Sequence, residues 1–161
     1  MVYMRISAKT DYAIRAVVEM AAASEPPTEG SAQLVKAEAV ADAQQIPLRF
    51  LLSILNELRH AGIVDSRRGA EGGYRLAKPA YPITIADVIR AIDGPLANVA
   101  GTRPDALDLT GTAAPLRDVW VSLRSSIRAV LEHVTVADVV SGKLPPEVVD
   151  LTRDTDAWTP H

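Results

Sequence analysis

The sequence predicts a mainly α-helical chain with one small β-hairpin, and three observations carry that prediction. Apolar residues recur at helical spacing in separate stretches, such as Ile14-Val17-Val18-Ala21, Leu51-Ile54-Leu55-Leu58 and Ile85-Val88-Ile89-Ile92. One glycine-rich reversal, through Gly69, Gly72 and Gly73, separates two short strand-like runs, Ile63–Arg67 and Gly73–Ala77. The hairpin also follows directly on two helices joined by a tight turn, which is the order helix-turn-helix-wing.

Taken in order, Ser7 can cap a helix from Ala8 to Ala23, with Lys9, Asp11 and Arg15 off its apolar stripe. Ser24–Gly30, with two prolines and two glutamates, reads as an exposed loop. Ala37–Gln44 is a short alanine-rich helix facing inward through Val40 and Ala41, and Gln45-Ile46 is a turn. Pro47 suits the first turn of the next helix, which runs to His60 and stops at Gly62. Arg49, Ser53, Asn56 and Arg59 fall away from that helix's apolar stripe, and early exposed positions are where a recognition helix meets base edges.

Thr84-Ile85-Ala86-Asp87 is a capping box, and Gly94-Pro95 ends the helix it opens. Leu96–Pro115 has little periodicity and reads as a long loop. Leu116, Trp120, Leu123, Ile127, Val130 and Val134 then alternate spacings of four and three, a heptad seam about 30 Å long. Such a helix can lie across its own domain or pair with a twin. We favour the dimer arm, with Val119 and Leu131 holding the helix to its own chain. Thr135–Val140 nearly repeats the Thr84 motif and opens another short helix, after which Pro145 and Pro146 lead to an acidic end with one more turn and a frayed terminus around Trp158. The division is a winged helix-turn-helix DNA-binding unit over residues 1–94, a loop over 95–115, a dimerisation helix with a short following helix over 116–142, and a tail over 143–161.

At 161 residues and 48% hydrophobic, the chain can bury one good core, and it has no run apolar enough to span a membrane. Met1–Ile6 shows no secretory pattern, so the expected place is the cytoplasm. The chain has no cysteine, which excludes disulfides, thiolate metal sites and cysteine nucleophiles, and His60, His133 and His161 are too scattered for a metal site. No cofactor is expected. No nucleophile with a paired base and no phosphate loop can be assembled, so an enzyme has little support.

The net charge of −3 hides an asymmetry, because Arg49, Arg59, Arg67, Arg68, Arg75 and Lys78 face only Glu57, Asp65 and Glu71 in the central segment. Arginines on a narrow hairpin suit phosphate oxygens or an A·T-rich minor groove. The candidate DNA-contacting residues are Lys9, Arg49, Phe50, Ser53, Arg67, Arg68 and Arg75. The other reading is a winged-helix protein-interaction module that grips a protein with the same surfaces.

Several blocks together carry a resemblance: Met4-Arg5-Ile6-Ser7 with Tyr12-Ala13, Leu58-Arg59-His60-Ala61-Gly62-Ile63-Val64, Ser66-Arg67-Arg68-Gly69 with Gly72-Gly73-Tyr74-Arg75-Leu76, Ile83-Thr84-Ile85 to Asp93-Gly94-Pro95-Leu96, and the helix around Trp120. From Met4 to about Gly142 the chain resembles the Rrf2 family of winged-helix transcription regulators. The resemblance implies a homodimer on palindromic operator DNA, with the third helix in the major groove and Arg68 in the minor groove, and the function we expect of it is repression. Cluster-binding members carry three cysteines in the loop before the long helix, and some take an acidic ligand from the first helix, where this chain has Asp11. A lone carboxylate cannot hold an iron–sulfur cluster, so the resemblance is to the cluster-free branch. The tight turn usually holds glycine, and Gln45 there costs roughly 1 kcal/mol if its backbone is left-handed.

Overall fold

The computed structural model describes residues 6–24 and 33–160. Met4-Arg5, most of the loop expected at Ser24–Gly30, and His161 lie outside the described residues. Helix α1 (Ala8–Ala23) starts where Ser7 Oγ accepts the Thr10 N–H at 3.1 Å. Its small side chains let other elements approach closely, and Ala13, Ala16, Val17 and Met20 are fully buried. Against it pack α2 (Ala37–Gln44), α3 (Leu48–His60), α4 (Ile85–Asp93) and α6 (Val136–Ser141).

The α2–α3 turn is left-handed at Gln45, with φ of 53°, and the Gln45 side chain relieves it by donating to the Asp42 carbonyl at 2.8 Å. Pro47 is the residue just before α3 rather than its first helical position. Strands β1 (Val64–Arg67) and β2 (Gly73–Leu76) pair antiparallel, Val64 opposite Leu76 and Arg67 opposite Gly73. Val35 adds a one-residue third strand, exchanging two 2.8 Å hydrogen bonds with Tyr74. A Cβ on Gly73 would lie 2.7 Å from the Val35 carbonyl oxygen, so only glycine permits that approach.

The two near-identical threonine motifs meet. Each forms a complete capping box, at Thr84 for α4 and Thr135 for α6. Ile85 N–H donates to the Val134 carbonyl at 2.9 Å and Val136 N–H to that of Ile83 at 2.8 Å, so the N-termini of α4 and α6 form one antiparallel bridge. Val136 is thereby fully buried in the main core. At the other end of α4, the buried Thr10 hydroxyl donates to Asp93 Oδ2 at 2.5 Å.

Residues 95–115 are more ordered than an irregular loop, with short helical turns at Pro104–Ala106 and Gly111–Ala113. Pro104 is buried, and Asp105 accepts from Arg103 at 2.8 Å and from Arg124 of the next helix at 3.1 Å. Hydropathy spacing cannot reveal a segment held by a carboxylate between two guanidiniums. Helix α5 (Leu116–Leu131) stops short of Val134. None of its residues is fully buried; Ile127 and Leu131 pack on a second apolar cluster, whereas Val119 is 52% exposed and does not fasten the helix as expected. Helix α7 (Pro146–Arg153) gives the tail two turns rather than one, and the exposed Trp158 indole N–H donates to the Thr152 carbonyl at 2.7 Å. Among the described residues no helix is long and apolar enough to cross a membrane.

Glu132, just past α5, accepts from Arg128 at 2.9 Å and also from Arg90 of α4. The Arg128 guanidinium first, and Arg90 second, pull its carboxyl from 4.5 down to about 2. A depressed carboxylate stabilises the fold above its unfolded pKa and loses that contribution as pH falls through the folded one. Denaturant melts of wild type and Glu132→Gln should therefore differ fully at neutral pH and converge between pH 4.5 and 2; a constant difference across that window would refute the linkage.

Candidate nucleic-acid interface

Helix α3 is sharply two-sided. Leu51, Ile54, Leu55 and Leu58 are at most 1% exposed, and at 100° per residue this turns Arg49, Ser53 and Asn56 outward, all exposed. Arg59 donates to Asn56 Oδ1 at 3.0 Å. The hairpin follows α3 after one turn and lies against it through β1, with Arg67 and Arg68 exposed at its tip.

The tip has a fixed shape. Gly72 N–H donates to the Gly69 carbonyl at 2.9 Å, and Lys36 Nζ donates to the Ala70 carbonyl at 2.6 Å. Gly72 lies so close to the opposite strand that a Cβ there would fall 2.1 Å from the Arg67 carbonyl oxygen. The wing bearing the arginines is thus held by backbone contacts at its turn and by Val35, which pairs with Tyr74 beside the tip.

Within the candidate set the cations divide. Lys9 Nζ pairs with Glu57 at 2.7 Å, and Arg75 pairs with Asp65, its cross-strand partner, at 3.1 Å. The Arg75 hydrogen bond, then the Ser66 N–H, hold the Asp65 carboxyl below its ordinary value. Arg49, Arg67 and Arg68 have no ion-pair or hydrogen-bond partner among the described residues. Counting charges along the chain misses this distinction, because Glu57 and Lys9 lie far apart in sequence. It also passes over Leu48, which stays exposed with Leu52 and Phe50 on the first turns of α3. Their off-stripe positions were the available signal.

The expected dimer-seam residues separate in the same way. Leu116 is exposed, Trp120, Leu123, Ile127 and Val130 are half-buried along α5, and Val134 lies beyond the helix, buried in the chain's own second cluster with Ile85, Ala86, Ile89 and Leu96. Val134 has no surface left for a twin, because its carbonyl and side chain complete the α4–α6 bridge.

The residues present do not fit an iron–sulfur cluster. The chain has no thiolate to offer, and Asp11 faces Arg15 at 3.5 Å. No group of three His, Cys, Asp or Glu side chains suited to a metal ion occurs among the described residues.

The Rrf2 family model, described as an iron-dependent transcriptional regulator, matches residues 6–142. The chain is 48% identical over 151 residues to a protein of Mycobacterium tuberculosis named as an HTH-type transcriptional regulator, Rv1287, covering 94% of this chain and 90% of that one. It is 31% identical over 138 residues to the HTH-type transcriptional regulator CymR of Bacillus subtilis, covering 86% and 91%. Among solved structures, CymR, the global cysteine regulator of B. subtilis, is similar with a TM-score of 0.70 at 29% identity, over 86% of this chain and 98% of that one. IscR of T. potens is similar with a TM-score of 0.65 at 26% identity, over 98% and 93%. A helix-turn-helix followed by an arginine-bearing wing, a family match across most of the sequence and relatives that are regulators rather than enzymes together place this chain in the Rrf2 family of transcriptional regulators.

Proposed function

We propose that this regulator is a cytoplasmic homodimer that represses transcription by binding a palindromic operator, and that it does so without an iron–sulfur cluster. The observation that carries the reading is the set of three unpaired cations, Arg49 on the outward face of α3 and Arg67 and Arg68 on the wing. Side chains held by internal carboxylates would have to break those pairs to meet phosphates or base edges, whereas these three need not. Residues 1–94 supply the contact surface, with α3 in the major groove and Arg68 in the minor groove. Lys9 and Arg75 then act indirectly, by fixing α3 to α1 and by bracing the hairpin. Within residues 116–142 the pairing element is α5, whose apolar seam is only half covered within one chain. Absence of cysteine supports operation without a cluster.

Binding should be visible in a mobility shift against sheared genomic DNA at low salt, where a protein-interaction module would give none. Arg68→Ala should weaken operator binding on the order of tenfold, and it should flatten the salt dependence of log K by about two, one unit per protomer. Unchanged affinity across a salt series would sink the proposal.

A further inference from the structure

We infer that Leu52 reads the 5-methyl group of a thymine lying one or two base pairs from the base contacted by Arg49, and so fixes part of the operator sequence. The inference rests on the DNA-binding reading above. The inner side of α3 is complete without Leu52, yet Leu52 is 44% exposed, beside Leu48 at 36% and Phe50 at 63%. One exposed leucine means little by itself, and its surroundings decide. Arg49 lies one turn before Leu52 and Asn56 one turn after it, on the same outward side of the helix. Phe50 falls on the opposite flank, the side of Glu57, whose carboxylate holds Lys9.

Leu52 is therefore an apolar group one turn from Arg49, which has no ion-pair partner among the described residues, and one turn from the exposed amide of Asn56, a surface that suits a polyanion better than an apolar protein groove. The apolar feature that base edges present in the major groove is the thymine methyl. Arg49 and Leu52 are separated by about 4.5 Å along the helix axis, against about 3.4 Å between stacked bases, which sets the spacing of one or two base pairs.

The test acts on the DNA, so it does not depend on a variant folding. A duplex selected from a random library by the full chain is remade with each thymine replaced in turn by deoxyuridine, which removes only the methyl. Affinity is then measured by fluorescence anisotropy for wild type and Leu52→Ala at one salt concentration. At one symmetric pair of positions, uridine should weaken wild type about fourfold per methyl and on the order of tenfold for both half-sites. Leu52→Ala should be indifferent there, with an unchanged salt slope. Uridine tolerated everywhere by wild type, or penalised equally in both proteins, overturns the inference and leaves DNA binding standing. If no duplex is enriched and none shifts at low salt, the DNA-binding reading fails and takes this inference with it.

Discussion

Leu123→Asp should convert the protein to a monomer that no longer holds its operator. Leu123 sits at the middle of the α5 seam, with Trp120 and Ile127 one turn to either side, and all three are only half-buried within the chain. The helix is attached to its own chain through the Pro104–Ala106 turn and Arg124, through Ile127 and Leu131 on the second apolar cluster and through Glu132 at its end, which leaves the rest of the seam only partly covered. A carboxylate in such a seam would lose water without gaining a partner, at a cost of several kcal/mol per protomer. Without the twin, the second recognition helix no longer acts at high effective concentration, so operator affinity should fall by about 100-fold or more. Sedimentation equilibrium and mobility shift together check this, with Val121→Asp, on the opposite side of α5, expected to stay dimeric. A Leu123→Asp protein that still sediments as a dimer would remove the seam from the interface.

Gly72→Ala should cost both stability and binding while leaving the dimer intact. The new methyl would lie 2.1 Å from the Arg67 carbonyl oxygen and 2.7 Å from the Arg68 carbonyl carbon. Both are backbone atoms, so no rotamer relieves the overlap and the tip has to open. Overpacking of this kind costs about 1–3 kcal/mol. Arg67 and Arg68 are displaced together, so the loss of affinity should exceed that of Arg68→Ala. Gly69→Ala is the useful comparison, since a Cβ there meets nothing within 4 Å and only the φ of +103° is strained. Denaturant midpoints and anisotropy titrations report the two losses separately; an unchanged midpoint with unchanged affinity would show that the tip is not held as described.

Features set by neighbours in sequence were legible before any coordinates. The Ser7 cap and both threonine capping boxes depend on residues three apart, and each is present where the local chemistry calls for it. The apolar stripe of α3 and the two strands of the hairpin follow from patterns of the same short range. Features set by distant partners were not legible. Lys9 reads as a free cation until Glu57 is brought beside it, and Asp105 reads as part of an irregular loop until Arg124 reaches it. Val134 continues the heptad spacing faithfully, but the helix ends at Leu131 because residues 134–136 are claimed by the bridge to α4. Spacing alone cannot show that claim.

That bridge also bears on the order in which the chain can fold. Helices α1 to α3 and the hairpin are close in sequence and can associate early, since short loops close at little entropic cost. The core they enclose is nevertheless unfinished until Val136 enters it from near the far end of the chain, next to the Ile83–Ile85 segment that receives its backbone. During synthesis the core beneath α3 and the hairpin is therefore completed only after α5 has emerged, so the helix proposed to pair with a twin is made no later than the surface proposed to meet DNA is completed.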